Sequence, residues 1–180
     1  MKKTLFVNLL VASIGMFSIA GCKKDSPVTL DSIPPTLEVR ISGGGFNKTF
    51  TNSEDYSLGT LNLKSNTKYT VSCVLADTGG VRLVQITLPK LLTPQNITGA
   101  PTDTVYNTAR DFSYRITKDE SDPYKSFLLS GNFVTPDAAN GSFNFSLSSY
   151  GKDFRNNRSN VLFNCSVDNN PVGGFGWVLF

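Results

Sequence analysis

Apolar residues recur at every second position along much of this chain from Thr36 onward. Leu37, Val39 and Ile41 alternate with polar residues, and the same spacing returns in four later stretches. The apolar members of those stretches are Tyr69, Val71, Cys73 and Leu75; Phe112, Tyr114 and Ile116; Phe143, Phe145 and Leu147; and Val161, Phe163, Cys165 and Val167. A period of two gives a β-strand one apolar and one polar face. The pattern therefore predicts half-buried antiparallel sheets.

Clusters of glycine, asparagine and proline separate these stretches, as expected where strands reverse direction. They include Gly43-Gly44-Gly45, Gly79-Gly80, Asp137 to Gly141, Asn156-Asn157 and Asn169-Asn170-Pro171. No stretch from 36 to 180 has apolar residues at helical spacing over three turns. Many short strands joined by turns predict an all-β, antiparallel two-sheet sandwich over residues 36–180.

The N-terminal segment is typical of a secretory signal peptide. Lys2 and Lys3 precede an apolar stretch, Leu5–Ile19, which ends in small residues. The stretch is too short, and its flanks are wrong, for a transmembrane helix. Residues 1–21 are therefore predicted to be removed on export.

The sequence Ile19-Ala20-Gly21-Cys22 resembles the bacterial lipobox. In that family the cysteine thiol carries diacylglycerol and the leader is cut just before it. The resemblance implies a lipoprotein held on a membrane through lipid on Cys22. Lys23-Lys24-Asp25-Ser26 looks like the start of many Bacteroidota lipoproteins, which implies an outer-membrane location on either the periplasmic or the surface side. Residues 22–35, which end in Pro34-Pro35, are predicted to form a tether.

Two further segments resemble bacterial immunoglobulin-like domains. Such domains contain a unit of one strand, a loop with aspartate and glycine, and a second strand, and Lys68–Pro89 is similar to this unit. Pro34–Val39 looks like the usual first strand of such a domain. The resemblance implies an immunoglobulin-like sandwich. Cys73 and Cys165 each lie on the apolar side of a strand in an exported protein, so they are predicted to form an inter-sheet disulfide. The alternative is two free, buried thiols.

The composition excludes several kinds of catalysis and binding. The chain contains no histidine, which excludes Ser–His–Asp and Cys–His catalysis and zinc sites with histidine ligands. A net charge of +3 is too small to suggest a nucleic-acid partner. No cofactor or metal is predicted. Asp119, Glu120 and Asp122 lack the ligand order of a calcium loop and are interpreted as a solvated acidic turn.

Catalysis by carboxylates alone stays open as an alternative. Asp77-Thr78-Gly79 resembles the aspartic-protease signature, and Leu128–Gly131 approximates the apolar pair and glycine that pack behind the catalytic loop in that family. The competing interpretation is that Asp77 caps a hairpin turn. A glycosidase pair drawn from Asp103, Asp111 and Asp153 would need two carboxyl groups within about 5–10 Å.

Aromatic residues in polar surroundings suggest a binding surface instead. Tyr106, Tyr124, Tyr150 and Phe154 are candidate glycan-binding residues, because aromatic rings stack on the apolar faces of sugars. Trp177 alternates with Phe175 and Leu179 as a core residue would. The main hypothesis is therefore a non-enzymatic, membrane-anchored module that binds a glycan or another envelope protein.

Overall fold

All regular secondary structure in the described part of the chain is β-strand. The computed structural model describes residues 32–99, 104–107, 111–120 and 124–179. The strands are β1 (Thr36–Gly43), β2 (Phe46–Thr51), β3 (Gly59–Lys64), β4 (Lys68–Pro89), β5 (Thr93–Gly99), β6 (Thr104–Asn107), β7 (Asp111–Thr117), β8 (Tyr124–Val134), β9 (Phe143–Asp153), β10 (Arg158–Asp168) and β11 (Gly176–Leu179). The all-β prediction is confirmed. The predicted signal peptide and Cys22 lie outside the described residues.

The 22-residue strand β4 belongs to both layers of the fold. Its first part, Lys68–Ala76, pairs with β1 and β8, and its second part, Val81–Pro89, pairs with β9 and β7, apart from one further pair between Val81 and Tyr124 of β8. The first layer has the order β2-β1-β4-β8-β5, and the second has the order β11-β3-β10-β9-β4-β7-β6. The fold is therefore a sandwich-like arrangement made by one folded sheet, where the sequence predicted two separate sheets. Its strand pairs are antiparallel apart from β10 with β3, which is parallel.

The predicted turn at Gly79-Gly80 is a β-bulge inside β4. The pairing with β8 shifts register between Ala76 and Val81, and the chain continues without reversing. The Asp77 carboxylate accepts a hydrogen bond from the Gly79 amide at 2.6 Å, and Gly80 takes a φ of 100°. Because the flanking segments pair with different partners, the extra residues bend the strand from one layer into the other. The strand–loop–strand prediction for this segment is wrong.

The predicted inward faces meet in a common core. Leu37, Val39 and Ile41 are buried, as are Tyr69, Val71, Cys73 and Leu75 on β4 and Val161, Phe163, Cys165 and Val167 on β10. An aromatic cluster joins the two layers; its members are Phe50, Tyr56, Phe163 and Trp177. The core prediction near the C-terminus holds for Trp177 alone, since Phe175 is 42% exposed and Leu179 is 72% exposed.

The β1–β2 turn requires glycine because of its backbone and its neighbour. Gly43, Gly44 and Gly45 have φ values of 139°, 58° and 97°, which residues other than glycine rarely adopt. A Cβ on Gly43 would lie 2.7 Å from the Lys68 carbonyl oxygen. The turn predicted at this position is confirmed.

The predicted disulfide between Cys73 and Cys165 is wrong, because both are free and buried. The Cys73 thiol lies 2.9 Å from the Ser149 hydroxyl across the core. On β10 the register partner of Ser149 is Val161, four residues before Cys165, which is about 14 Å along the strand. The thiols therefore lie at different levels of the core. Disulfide formation requires the two cysteines to lie at the same level of the core, which depends on strand register. An inward position on each strand does not specify that register.

We expect both thiols to be unreactive in the folded domain and titratable after unfolding. Burial raises the pKa of Cys73 to about 12 and raises that of Cys165 further, so neither forms a reactive thiolate near neutral pH. Titration of the chain beginning at Lys23 with a chromogenic disulfide should release no product in buffer and two equivalents in denaturant without reductant. An absence of reaction in denaturant would contradict the free-thiol assignment.

Candidate functional site

The outward side of β9, β10 and β3 includes a continuous group of uncharged residues, here called the polar face, with charged residues only beyond its ends. Strand alternation turns Leu147 and Phe163 into the core and leaves their sequence neighbours outside. The polar face consists of Thr60, Asn144, Ser146, Ser148, Tyr150, Asn160, Leu162 and Asn164. It is therefore a surface of amide and hydroxyl groups with one aromatic ring and one aliphatic side chain.

Strand register arranges these side chains in rows. Tyr150 lies between Gln85 on β4 and Asn160 on β10, and Asn164 lies between Ser146 and Thr60. Directly paired side chains in a sheet are about 4.5–5.5 Å apart at Cβ. The Ser146 hydroxyl donates a hydrogen bond to the Asn164 Oδ1 at 3.1 Å, which fixes that amide. The rows therefore present hydrogen-bond donors and acceptors side by side on neighbouring strands.

Two shallow grooves run into the polar face and share Asn164. The first has a volume of about 330 Å³ and lies between β10 and the β2–β3 loop, with Glu54 and Asp55 on its rim. The second has a volume of about 370 Å³ and is lined by Thr60, Asn144 and Ser146. Hydrogen bonds from the Ser57 amide and hydroxyl lower the pKa of Asp55, so the rim of the first groove stays negatively charged.

The aromatic residues predicted to bind glycan do not form one platform. Tyr150 lies on the polar face, whereas Tyr124 begins β8, where it is 41% exposed and has the Lys118 ammonium 4.2 Å from its ring centre. Their register partners on β4, Val81 and Gln85, are four residues apart, about 14 Å along the strand. The prediction is therefore corrected to Tyr150 as the member on the polar face.

The other two predicted aromatics lie elsewhere. Phe154 follows Asp153 in the turn that ends β9 and is partly buried. Tyr106 lies on β6 opposite Ser113, and its side chain is outside the described part of the structure. Neither residue is placed among the amide and hydroxyl groups of β9 and β10.

The glycosidase pair of Asp111 and Asp153 is not brought together. Asp111 pairs with Pro89 and Asp153 pairs with Val81, which is eight residues away on β4, or about 27 Å. The buried Asp153 carboxylate accepts hydrogen bonds from the Asn157 amide at 2.8 Å and from the Asn157 side chain at 2.6 Å. Asp153 therefore closes the β9–β10 turn. The third candidate, Asp103, lies outside the described residues.

The protease-like motif also differs from its predicted surroundings. Leu128 and Gly131 pair with Val74 and Val71, and the Leu128 side chain is 55% exposed on the outer side of the first layer. This segment therefore does not pack behind Asp77. In the described ranges no group of three or more histidine, cysteine, aspartate or glutamate side chains is placed to hold a metal. In those ranges, too, no helix is long and apolar enough to cross a membrane.

Sequence reasoning missed the asparagines and serines of the polar face. The sequence analysis singled out none of these outward positions, and on β1 the outward residues are ordinary solvated surface, with Glu38 and Arg40 exposed. The usable signal was the lack of charge at successive outward positions of β9 and β10, where Asn144, Ser146 and Asn160 lie. Charged residues usually make up about 25–35% of a soluble surface, so a run without them distinguishes these strands from β1.

Comparisons with known proteins include a likeness to a solved structure. No family model matches the chain, and no curated protein matches it significantly. The crystal structure of ACE19, the collagen-binding subdomain of the Enterococcus faecalis surface protein ACE, is similar with a TM-score of 0.33 and 14% sequence identity. The likeness covers 64% of this chain and 99% of that one. The functional argument therefore starts from the residues of the polar face.

Proposed function

We propose that this chain is a lipid-anchored envelope protein whose immunoglobulin-like domain binds a glycan, without catalysis, through the polar face. The observation that carries the proposal is the row of exposed amides and hydroxyls beside Tyr150. Amide and hydroxyl groups both donate and accept hydrogen bonds, as sugar hydroxyls do. An aromatic ring next to them supplies the flat apolar contact that orients a sugar ring.

The shape of the surface supports binding to an extended ligand. Its grooves are shallow, and the carboxylates that a glycosidase would need are far apart, as with Asp111 and Asp153. Asn164 borders both grooves, so a chain of sugars crossing the surface would contact it from either side. These features favour a binding module over a hydrolase.

The anchoring part of the proposal is supported by the lipobox-like sequence that ends at Cys22. We expect the Cys22→Ser variant to lose lipid modification and to leave the detergent phase in phase-partitioning experiments, because acyl chains supply the membrane affinity. Replacing Ser26 with alanine is the matched control and should leave partitioning unchanged. Normal partitioning of the Cys22→Ser variant would contradict the anchor.

The binding part of the proposal is tested by a glycan array probed with the chain beginning at Lys23. We expect Tyr150→Ala and Asn164→Ala each to weaken binding to the retained glycans by about two- to tenfold, since one stacking or hydrogen-bonding contact contributes about 0.5–1.5 kcal/mol. Tyr124→Ala, on β8, and Thr49→Ala, exposed on β2, are the matched controls and should bind normally. An empty array, or equal losses in all four variants, would contradict a glycan site on the polar face.

A further inference from the structure

Positive charge is concentrated around the aromatic residue of the polar face. Lys152 follows Tyr150 on the same side of β9, and its ammonium lies 5.7 Å from the centre of the tyrosine ring. Arg158 is the direct cross-strand partner of Lys152 on β10. Arg158 is exposed and Lys152 is partly exposed. Two cations therefore lie side by side at the end of the row that contains Tyr150.

A third cation lies on the other side of Tyr150. Arg115 on β7 is the register partner of Gln85, and Gln85 is the partner of Tyr150. The Arg115 guanidinium donates hydrogen bonds from Nε at 2.8 Å and from Nη2 at 2.5 Å to the side-chain Oε1 of Gln85. The Gln85 amide nitrogen in turn donates to the Thr87 hydroxyl at 3.2 Å. This network holds the guanidinium in place before any ligand binds.

The acidic groups near the polar face are buried, lie on other elements or lie at the far end of β10, where Asp168 pairs with Lys64. Asp153 is 1% exposed and its carboxylate is bonded to Asn157, so it does not face the surface. Glu54 and Asp55 border the first groove, which lies on the opposite side of β10 from β9. The polar face is therefore electrically asymmetric, with cations around Tyr150 and carboxylates on the rim of the first groove.

We propose that the ligand is an acidic glycan and that Lys152 and Arg158 bind its carboxylate or sulfate group beside Tyr150. This inference rests on the proposed glycan-binding function and specifies its ligand class. Hydrogen bonds between ionised partners are stronger than those between neutral ones, and the arginine fork matches both anions. Glu54 and Asp55 repel the same anion from the first groove, so the ligand binds in one orientation along the row.

Three polymers test the proposal with the chain beginning at Lys23, which contains the compact unit Asp31–Phe180. Polygalacturonate carries carboxylates, dextran sulfate carries sulfates, and dextran is neutral. We expect binding to at least one acidic polymer and not to dextran, with affinity that falls as salt screens the charges. The carboxylate and sulfate arms show which anion the site prefers.

The charge assignment is tested by the double variant Lys152→Gln with Arg158→Gln. We expect its affinity for the acidic polymer to fall at least tenfold and its dependence on salt to weaken. The matched control is Lys64→Gln with Lys68→Gln, which removes the same charge from exposed positions far from Tyr150. Thermal unfolding of both double variants should match that of the unmodified chain, so a loss of binding reports on the site.

Three outcomes would overturn the inference, and they differ in their consequence for the proposed function. Equal binding to dextran and to the acidic polymers would reject the acidic ligand and keep the glycan-binding function. Binding to none of the polymers, together with an empty glycan array, would reject both. Sedimentation with phosphatidylglycerol vesicles in the absence of polymer binding would assign the cations to a membrane surface instead.

Discussion

Replacing Phe163 with alanine is expected to lower the free energy of unfolding by about 3–5 kcal/mol, as for other large buried aromatic side chains. Phe163 is 1% exposed, and its ring is stacked on Phe50 with centres 3.8 Å apart. Phe50 belongs to the first layer and Phe163 to the second, so the pair contributes directly to holding the layers together. The truncation removes this contact and leaves a cavity that the rigid sheets cannot close.

The neighbouring residue provides the control for this prediction. Leu162→Ala alters the same strand, but its side chain is 53% exposed, so the change should stay within about 0.5 kcal/mol. Urea unfolding followed by tryptophan fluorescence measures both variants, because Trp177 lies in the same aromatic cluster. A loss of less than about 1 kcal/mol for Phe163→Ala, well below the range for such truncations, would show that the aromatic cluster is not a main source of stability.

The sequence predicted which side of most strands is buried, because that property is local. In β1 and β10 the period of two determines which face of the sheet residues such as Val39 and Val161 occupy, whichever strands lie on either side. The same pattern is weaker in β9, where the first residue, Phe143, is 38% exposed although its partner on β10, Val167, is buried. The period of two therefore predicted burial along most of each strand, with an exception at the start of β9.

Strand pairing was not predictable from the same pattern. The Asp77-Thr78-Gly79-Gly80 segment has the composition of a turn, yet it bends β4 between layers because β1 and β8 pair with one side of it and β9 and β7 with the other. Bulges and turns use the same residue types. The choice between them depends on partners that are distant in the sequence.

The candidate site required pairing information for the same reason. Asn160 and Tyr150 are ten residues apart in the sequence, and only the β9–β10 register places them side by side. The sequence did identify Tyr150 as a candidate. It also grouped Tyr150 with Tyr124, which the structure places on another strand. Composition therefore indicated the chemistry of the site, and the register determined its members.

Replacing Asp153 with alanine is expected to destabilise the domain by about 2–4 kcal/mol, since hydrogen bonds to a charged group contribute about 1.5–3 kcal/mol and two partly buried donors of Asn157 lose their acceptor. The Asp153 carboxylate is 1% exposed and accepts two hydrogen bonds from Asn157. Asp137→Ala is the matched control, because its exposed carboxylate also accepts a backbone hydrogen bond, from Ala139 at 3.0 Å. Water can replace that bond, so the control should lose less than about 1 kcal/mol. Urea unfolding measures both variants, and wild-type stability of Asp153→Ala would contradict a structural role for this carboxylate.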